Sequence, residues 1–583
     1  MKILGIQWGD NSTVCALEDN KILAAVGEER FTKKKNDMSY PLKSIKYCCS
    51  FFKNKRPDIV AVASKDHNYI SQLTHFYSIP IKGMINLQNN YYYQLFYKNK
   101  DLGLLKFLKK YWKKKQYPKS YWSNVSKIKE KTFSKDILEI VSNSLNNINK
   151  KKIYKIEHHL CHANYAYYSS NFKNTKCLIF TIDGSGDYGI NATISIGEKG
   201  KIKRVYQTKN AILGRIYSHM TLYLGMKRLE HEYKIMGLAP YSYSKIDKDI
   251  YKIFSDCLKF SGYKILFNKR PKDCFIHFKN KLDGYRFDLI ASALQNWTEN
   301  FIYEWVKRSI KHFKIKNIVF SGGVAMNAKA MGKLLEIKDL NKLWVPGAGQ
   351  DDSLCLGAAM QINNDLKKKK FFNLESLYFG NDVDDEQEKF IKNLDKIKYK
   401  VMNYSSIRLA KFLKRGLVFG RCVGRMEFGP RSLGNRAIIA DPRNFEIKKK
   451  INSIIKQRDF WMPFAPTVLD RFAKKYLINV KKSQSTHMSI TYKVTTLGGR
   501  MLKAAIHEAD NTARAQILKK NHNFQYYELI NNFFKITKCG ALLNTSLNLH
   551  GYPIVQNLAD AEKVLNKSGL NGLVTKNYII LKR

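Results

Sequence analysis

The fold is decided by the stretch IVFSGGVAMNA at residues 318–328, which joins an apolar strand to a glycine pair and the start of a helix. Two further polar turns follow apolar strands in the same way, QWGDNS at residues 7–12 and DGSGDYG at residues 183–189. Backbone without a Cβ can approach a phosphate group closely, and the N–H groups of such turns can bind an anion. Three turns in this order predict a two-lobed α/β fold with a nucleotide-type cleft, to which Gly322, Gly323 and Asn327 would contribute.

The segment at the start of the chain predicts a strand and a β-hairpin. Residues 14–17 and 22–26 are apolar and flank Asp19 and Asn20, which tolerate the left-handed backbone of a tight turn. The chain enters its first strand directly, with no signal-peptide pattern, and carries no apolar run long enough to cross a bilayer. The ten cysteines include no CxxC pair, which favours a reducing, cytoplasmic compartment.

A pair of histidines stands one helical turn apart in the stretch IEHHLCHA at residues 156–163. On a helix, His158 and His162 lie on one face, so both imidazoles can reach one cation. Carboxylates would complete the site: Asp183 ends an apolar strand and begins a glycine-rich turn, and the neighbouring residues Asp351 and Asp352 lie in another such turn. A His pair with carboxylates favours iron or another divalent transition metal over a closed structural zinc site. The alternative is that the histidines form the polar face of an ordinary helix.

The chain of 583 residues is strongly basic, with 102 Lys and Arg against 48 Asp and Glu, a formal net charge of +54. Such a protein attracts polyanions, and residues 89–122 interleave bases with aromatics as in single-strand nucleic-acid binding. Lysine, however, greatly outnumbers arginine and the excess is spread along the chain, which is typical of a compositional bias. We therefore favour anionic small substrates over nucleic acid, and a small-molecule or glycan partner over a membrane.

A domain boundary is predicted at the lysine run of residues 367–370, which gives domains at residues 1–365 and 371–583. The second domain contains GRMEFGPRSLGNR at residues 424–436, three arginines and a carboxylate among glycines. The planar guanidinium group suits bidentate contacts to phosphate. The predicted pocket for several phosphates comprises Arg425, Arg431, Arg436, Lys456, Arg458, Arg514, Asn544, Ser546 and Asn548.

Taken together, these motifs resemble the O-carbamoyltransferases of the nodulation-protein-U and tobramycin carbamoyltransferase type. The resemblance rests on EERFT at residues 28–32, the histidine segment, KIMGLAPY at 234–241, SGGVAMN at 321–327, the run at 424–436 and NTSLN at 544–548. It implies an N-terminal actin/Hsp70-like domain related to the tRNA threonylcarbamoylation enzymes, followed by a YrdC-like domain. It also spans nearly the whole chain.

The resemblance implies a two-step reaction. Carbamoyl phosphate and ATP would give carbamoyl-adenylate in the C-terminal domain, with Arg425 and Arg431 acting in catalysis as well as binding. The carbamoyl group would then pass to an acceptor hydroxyl in the N-terminal domain. There the family's metal ligands match His158, His162 and Asp183, with Asp351 preferred as the fourth. Iron(II) is the implied metal, and Lys35 matches a lysine that would stabilise developing charge.

The chain departs from the family pattern where the acceptor would be activated. Trp8 and Gly9 stand where relatives carry a histidine, and Asn36 replaces a second histidine. Another base is then required, for which Asp10 and His231 are the candidates. Two other functions stay open at this point: a tRNA threonylcarbamoyladenosine-type transferase, and a non-catalytic basic nucleic-acid-binding protein.

Overall fold

The structure, a computed structural model, describes residues 1–66, 79–108, 130–172, 174–367, 372, 374, 376–456 and 459–583. The chain forms two compact units. The first comprises Met1–Glu28, Asn36–Met326 and Gly349–Phe372, and the second comprises Glu29–Lys35, Asn327–Ala348 and Asn373–Arg583. Residues 109–122 of the predicted aromatic and basic segment lie outside the described residues, as do Arg458 and the side chain of Lys456.

The first sheet of unit 1 has the order β3-β2-β1-β4-β5. Its strands are β1 Lys2–Gln7, β2 Thr13–Glu18, β3 Lys21–Gly27, β4 Ile59–Ala63 and β5 Ile153–Ile156. The predicted hairpin is confirmed, because β2 and β3 pair antiparallel and Asp19 and Asn20 have φ angles of 45° and 70°. Strand β1 pairs parallel with β4, and β4 pairs parallel with β5.

The second sheet of unit 1 repeats this pattern. Its strands include β6 Cys177–Ile182, β7 Ala192–Glu198, β8 Lys201–Thr208 and, after the separate hairpin β9 Leu258–Ser261 and β10 Lys264–Phe267, β11 Asn317–Ser321. Strands β6, β7 and β8 form an antiparallel meander, and β11 pairs parallel with β6. The carboxyl ends of parallel strands meet at one edge of a sheet, so the turns after β6 and β11 lie together.

Helices cover both sheets of unit 1. They are Leu42–Cys49, Ile81–Leu87, Tyr93–Tyr97, Leu104–Leu108, Glu130–Ser144, His158–Tyr168, Leu213–Tyr223, Glu232–Leu238, Lys248–Ser255, Ile276–Leu282, Phe287–Phe313 and Leu354–Lys367. The core of the second sheet is aromatic: the ring of Phe180 stacks on that of Phe320 with centroids 5.6 Å apart and meets the edge of Trp305 at 4.9 Å. Burying these rings stabilises the unit through apolar area and through their mutual geometry.

Unit 2 is built on an eight-stranded mixed sheet of order β14-β24-β23-β15-β17-β22-β18-β21. The strands of that sheet are β14 Tyr399–Asn403, β15 Phe419–Cys422, β17 Arg436–Ala440, β18 Ala465–Leu469, β21 Gln516–Leu518, β22 Ala541–Ser546, β23 Gly572–Val574 and β24 Tyr578–Lys582. The unit also contains, outside that sheet, β12 Lys342–Trp344, β13 Tyr378–Asp382, β16 Arg425–Glu427, β19 Tyr492–Lys493 and β20 Thr512–Ala513. Its helices are Glu29–Thr32, Ala328–Lys333, Gln387–Lys392, Ser406–Lys414, Phe445–Ile451, Asp470–Tyr476, Thr496–Met501, Phe524–Thr537 and Leu558–Asn566. The predicted mixed α/β class is confirmed, whereas the YrdC-like assignment stays a prediction.

Two segments of the predicted first domain belong to unit 2. Arg30 donates to the carbonyl oxygen of Gly429 at 2.9 Å, and Ser489 donates to that of Val345 at 2.7 Å. Lys329 forms an ion pair with Asp510. These contacts join sequence-distant segments, which is why a boundary placed on a charge run did not anticipate them. The limits 1–365 and 371–583 therefore stay a prediction.

Candidate metal centre

The helix His158–Tyr168, hereafter the histidine helix, begins at its first histidine because two carboxylates cap it. Glu157 accepts hydrogen bonds from the backbone N–H groups of His159 at 3.1 Å and Leu160 at 2.7 Å. Asp187 accepts from the N–H of His158 at 2.8 Å. Carboxylates at this position satisfy free N–H groups and match the positive end of the helix. These caps fix where the helix begins, and the four-residue spacing places His158 and His162 on one side of it.

The four predicted ligands come together in unit 1. One ligand atom from each of His158, His162, Asp183 and Asp351 lies within 4.8 Å of the other three. Nε2 of His162 is 3.2 Å from a carboxylate oxygen of Asp183 and 3.5 Å from one of Asp351. Both histidines are buried. Their sequence spacing predicted one shared face, and the structure places the carboxylates opposite that face.

The side chains present fit a divalent cation. Among the described residues, Nε2 of His158 and Nε2 of His162 are buried without a hydrogen-bond partner. Burial opposes the charged form of His158, but Asp351 and Asp183 outweigh it and raise its pKa to about 9. The same histidines overcome burial at Asp183 and hold the pKa of that carboxyl well below its usual range. Two nitrogens and two carboxylate oxygens form a donor set that suits iron, manganese or zinc.

The third histidine of the segment, His159, has a structural role. Its Nε2 lies 3.0 Å from the carbonyl oxygen of Ile190 and its Nδ1 lies 2.8 Å from the hydroxyl of Thr181. The carbonyl can only accept, so Nε2 carries the proton. Burial, followed by the two neighbouring histidines, lowers the pKa of His159 to about 3. It is therefore a neutral core residue and orients the helix through both ring nitrogens.

The structure distinguishes Asp351 from its neighbour Asp352. Asp352 is 1% exposed, and its carboxylate accepts hydrogen bonds from the side chains of Asn11 and Gln350. Its carbonyl oxygen accepts from the hydroxyl of Thr13 at 2.8 Å. Asp352 thus ties the turn to the first sheet, while Asp351 points at the histidines. The preference for Asp351 agrees with this geometry.

Gly322 and Gly323 lie against the metal cluster. The N–H of Gly323 donates to the carboxylate of Asp183 at 2.6 Å. Gly322 has φ of +100°, and a Cβ there would lie 2.3 Å from the carbonyl oxygen of Ile182, so only glycine fits. Both glycines therefore help to position the predicted ligand Asp183. The sequence had indicated only a nucleotide contact for them. Asn327 caps the helix Ala328–Lys333 by accepting from the N–H of Ala330 at 3.1 Å. The nucleotide role of all three stays a prediction.

Asp10, a predicted catalytic residue, lies beside the cluster. Burial, then Asp351 and Asp183, raise the pKa of its carboxyl well above the usual value. A carboxylate with a raised pKa is a better base for a hydroxyl proton. The other candidate base, His231, accepts through Nδ1 from the N–H of Lys227 at 3.2 Å. Lys35 belongs to unit 2, and its catalytic role stays a prediction.

Sequence reasoning missed two arginines near the cluster. Arg215 donates through Nε to the carbonyl oxygen of Gly184 at 2.9 Å, one residue after the ligand Asp183. Arg228 lies close enough to lower the pKa of Asp10 and donates to Ser218 at 3.1 Å. Neither forms an ion pair with a carboxylate of the described residues. In so lysine- and arginine-rich a chain, nothing in their local sequence singled them out.

In unit 2, the geometry does not favour Arg436 as a phosphate ligand. Its side chain is fully buried, and its Nη atoms donate to the carbonyl oxygens of Val423, Asn381 and Gly424, each at 2.9 Å. A guanidinium surrounded by backbone carbonyls has few donors left for an anion. Arg436 instead joins separate segments. Arg425 also donates to backbone, to the carbonyl oxygens of Phe379 at 2.7 Å and Gly380 at 3.2 Å.

The turn at residues 429–435, hereafter the arginine turn, carries Arg431 and lies on a polar face of the sheet. Asn544 on β22 donates to the carbonyl oxygen of Ser432 at 3.2 Å, and Gln516 on β21 donates to that of Leu433 at 2.9 Å. Side chains two apart on a strand share a face, so Ser546 lies on the same face as Asn544. The hydroxyl of Ser546 donates to Asn548 at 2.7 Å. The anion-binding roles of these residues, and of Arg514, stay predictions.

Comparison with known proteins identifies the family. The model described as "Carbamoyltransferase N-terminus" matches residues 2–360, and the one described as "Carbamoyltransferase C-terminus" matches residues 410–582. The chain belongs to the carbamoyltransferase family. This carbamoyltransferase is 30% identical to nodulation protein NolNO of Sinorhizobium fredii, over 97% of its own length and 78% of that protein. The resemblance predicted from the motifs is thereby confirmed.

Two further similarities extend this comparison. The carbamoyltransferase is 31% identical to an uncharacterized protein of Methanocaldococcus jannaschii, over 100% of its own length and 99% of that protein. A solved structure of full-length HypF in the phosphate- and nucleotide-bound form has a TM-score of 0.35 at 13% identity, covering 64% of this chain and 47% of that chain. That structural likeness is too weak to define the fold. None of the helices among the described residues is long and apolar enough to span a bilayer.

Proposed function

We propose that this carbamoyltransferase is an O-carbamoyltransferase that uses carbamoyl phosphate and ATP and carbamoylates a hydroxyl of a sugar or natural-product acceptor. The observation that carries the proposal is the cluster of His158, His162, Asp183 and Asp351 in unit 1. A transferase that acted through backbone anion contacts alone would have no use for two buried imidazoles aimed at two carboxylates. The motif resemblance supplies the substrates, and the match to the family supports carbamoyl transfer.

The four residues of the cluster would hold one divalent cation, for which we propose iron(II). When bound, such a cation supplies Lewis-acid polarisation of a carbonyl or phosphoryl oxygen. The protein orients the cluster through Asp187, His159 and Gly323. Asp187 fixes the first turn of the histidine helix, His159 locks its rotation, and the N–H of Gly323 holds one carboxylate oxygen of Asp183.

In the transfer step, the acceptor oxygen attacks the carbamoyl carbon of carbamoyl-adenylate. The bond from that carbon to the adenylate oxygen breaks, AMP leaves, and the hydroxyl proton passes to Asp10. The ionised form of Asp10 accepts this proton, and burial beside two carboxylates, which raises the pKa of Asp10, makes the uptake favourable. Arg215 and Arg228 would place positive charge near the phosphate of the adenylate, as guanidinium groups commonly do.

We assign the adenylation step to unit 2, as a YrdC-like domain within the predicted limits 371–583, with the actin/Hsp70-like domain at 1–365. Carbamoyl phosphate, ATP and water give carbamoyl-adenylate, pyrophosphate and inorganic phosphate. Arg431, Arg514, Lys456 and Arg458 would neutralise the phosphates and Ser546 and Asn548 would bind them. Lys35 would stabilise charge that develops during the reaction. We propose a reducing cytoplasmic compartment, with which the ten cysteines, none of them in a CxxC pair, are consistent.

The experiment measures two quantities on purified protein: bound metal by mass spectrometry, and pyrophosphate release from ATP with and without carbamoyl phosphate. We expect release that requires carbamoyl phosphate and about one bound transition metal. His162→Ala should lose the metal and acceptor carbamoylation but keep pyrophosphate release. His312→Ala, a histidine far from the cluster in sequence, is the control and should keep all three. Folded protein without carbamoyl-phosphate-dependent release would overturn the proposal.

A further inference from the structure

Glu427 has one carboxylate oxygen fully used and one without a partner. Its Oε1 accepts from the backbone N–H groups of Leu433 at 2.8 Å, Asn435 at 2.7 Å and Arg436 at 3.1 Å, and so shapes the arginine turn. Its Oε2 is buried and has no hydrogen-bond partner among the described residues. The whole residue is 2% exposed. A buried carboxylate oxygen without a hydrogen bond is destabilising, so we expect a ligand to donate a hydrogen bond to Oε2.

Asn544 presents a second unpaired acceptor. Its Nδ2 donates to the carbonyl oxygen of Ser432 at 3.2 Å and to the hydroxyl of Thr467 at 3.1 Å. Its Oδ1 is buried with no partner in the described part of the chain, and the residue is 1% exposed. Turning the amide over would set two carbonyl oxygens against each other at Ser432. The orientation is therefore fixed, and Oδ1 is the atom that lacks a donor.

The side chains of Glu427 and Asn544 both contact one residue of the arginine turn, Ser432. Ser432 lies 3.4 Å through its hydroxyl from Oε1 of Glu427, and its carbonyl oxygen receives the amide of Asn544. Arg431 is the preceding residue, and Ser546 shares the sheet face of Asn544. Two buried oxygens that can only accept thus adjoin the positions predicted to bind phosphate. They suit a ligand with an N–H donor at one end and an anion at the other.

We propose that Oε2 of Glu427 and Oδ1 of Asn544 accept the two N–H hydrogens of the carbamoyl amino group of carbamoyl phosphate. The inference rests on the proposed function and deepens it, because it names the residues that recognise the substrate as a carbamoyl compound. One amino nitrogen carries two hydrogens, one for each oxygen, while the phosphate lies towards Arg431. An acyl phosphate with a methyl group in place of the amino group would leave both oxygens buried and unpaired. Sites that bind a substrate N–H reject analogues lacking it for this reason.

The test uses Glu427→Gln in the full-length protein. Glutamine keeps an oxygen for the N–H groups of the arginine turn and replaces the unpaired oxygen by a donor. We expect the KM for carbamoyl phosphate in pyrophosphate release to rise about tenfold, which corresponds to the loss of one charge-assisted hydrogen bond. The KM for ATP should stay within about twofold, given the precision of such comparisons. Asp441→Asn is the matched control: this buried carboxylate has both oxygens bound by Arg443, and its replacement should leave the KM for carbamoyl phosphate unchanged.

Acetyl phosphate provides a second measurement that needs no variant. In the wild-type protein, acetyl phosphate should inhibit pyrophosphate release only at concentrations at least about tenfold above the KM for carbamoyl phosphate. In Glu427→Gln, the ratio of the inhibitory concentration of acetyl phosphate to the KM for carbamoyl phosphate should be smaller. Equal affinity of the wild type for both compounds would overturn the inference even if the variant does not fold. An increase confined to the KM for ATP would overturn it too, because the oxygens would then recognise the adenine amino group. Absence of carbamoyl-phosphate-dependent release in the wild type is a different result, which counts against the proposed function itself.

Discussion

Gly357 lies directly against the carbonyl oxygen of Cys161, so that a Cβ built on Gly357 would be 1.9 Å from that oxygen. Cys161 precedes the ligand His162 on the histidine helix, and Gly357 lies on the helix Leu354–Lys367 that follows the ligand Asp351. A side chain at residue 357 would force the two helices apart. The distance between a histidine ligand and a carboxylate ligand is therefore set by a helix contact outside the metal cluster.

Gly357→Ala should weaken metal binding without altering any ligand. Overpacking of this kind typically costs about 1–3 kcal/mol, which we expect as a loss in the free energy of unfolding measured by urea denaturation. The bound metal per chain should fall in the same variant. The control is Gly499→Ala in the helix Thr496–Met501, where a Cβ meets nothing closer than 4.0 Å and alanine favours the helix. Full metal occupancy in Gly357→Ala would show that the helix contact does not set the ligand geometry.

Asp351→Asn should affect metal binding, whereas Asp352→Asn should affect the free energy of unfolding. Asp351→Asn removes a charged ligand, so we expect loss of the metal with little change in the free energy of unfolding of the metal-free protein. Asp352→Asn leaves the ligands in place but weakens the hydrogen bonds from Asn11 and Gln350, which we expect to cost about 1–3 kcal/mol. Metal analysis and urea denaturation of both variants measure the two effects. Equal metal loss in both would contradict the assignment of Asp351 as the ligand.

Arg431→Ala and Arg436→Met separate a binding role from a structural one. We expect Arg431→Ala to fold normally and to lose carbamoyl-phosphate-dependent pyrophosphate release, because it removes a charge that neutralises phosphate. Arg436→Met should lower the free energy of unfolding by about 3 kcal/mol or more, since several buried carbonyl groups lose their donor at once. Release that survives in Arg431→Ala would remove this arginine from the phosphate pocket. An unchanged midpoint of denaturation in Arg436→Met would contradict its structural role.

The sequence predicted those parts of the molecule that depend on local chemistry. Asp19 and Asn20 form the tight turn because their side chains tolerate left-handed backbone, and His158 and His162 share a face because a helix repeats every 3.6 residues. The role of His159 depends on Thr181, which lies on β6, and on Ile190, which lies in the turn between β6 and β7. Arg436 resembled a phosphate ligand in the glycine-rich run, but its donors are taken by backbone carbonyl groups at the start of that run and at Asn381, 55 residues earlier. Such contacts leave no periodic or local signal.

Arg215→Ala tests the positive charge near the metal cluster. Arg215 lies on the first turn of the helix Leu213–Tyr223, and Gly214 beside it packs so closely that a Cβ would lie 3.1 Å from the backbone nitrogen of Gly184. The guanidinium group is thereby held next to the ligand Asp183.

If Arg215 binds the phosphate of the adenylate, its removal should slow acceptor carbamoylation at least about tenfold, the effect of losing one charge-assisted contact. Pyrophosphate release and metal content should stay at wild-type levels, because neither depends on this arginine. The comparison is Arg204→Ala. Arg204 forms an ion pair with Glu157, whose side chain caps the histidine helix. We expect it to lower metal occupancy, whereas a loss of metal in Arg215→Ala itself would show that Arg215 supports the cluster instead of binding substrate.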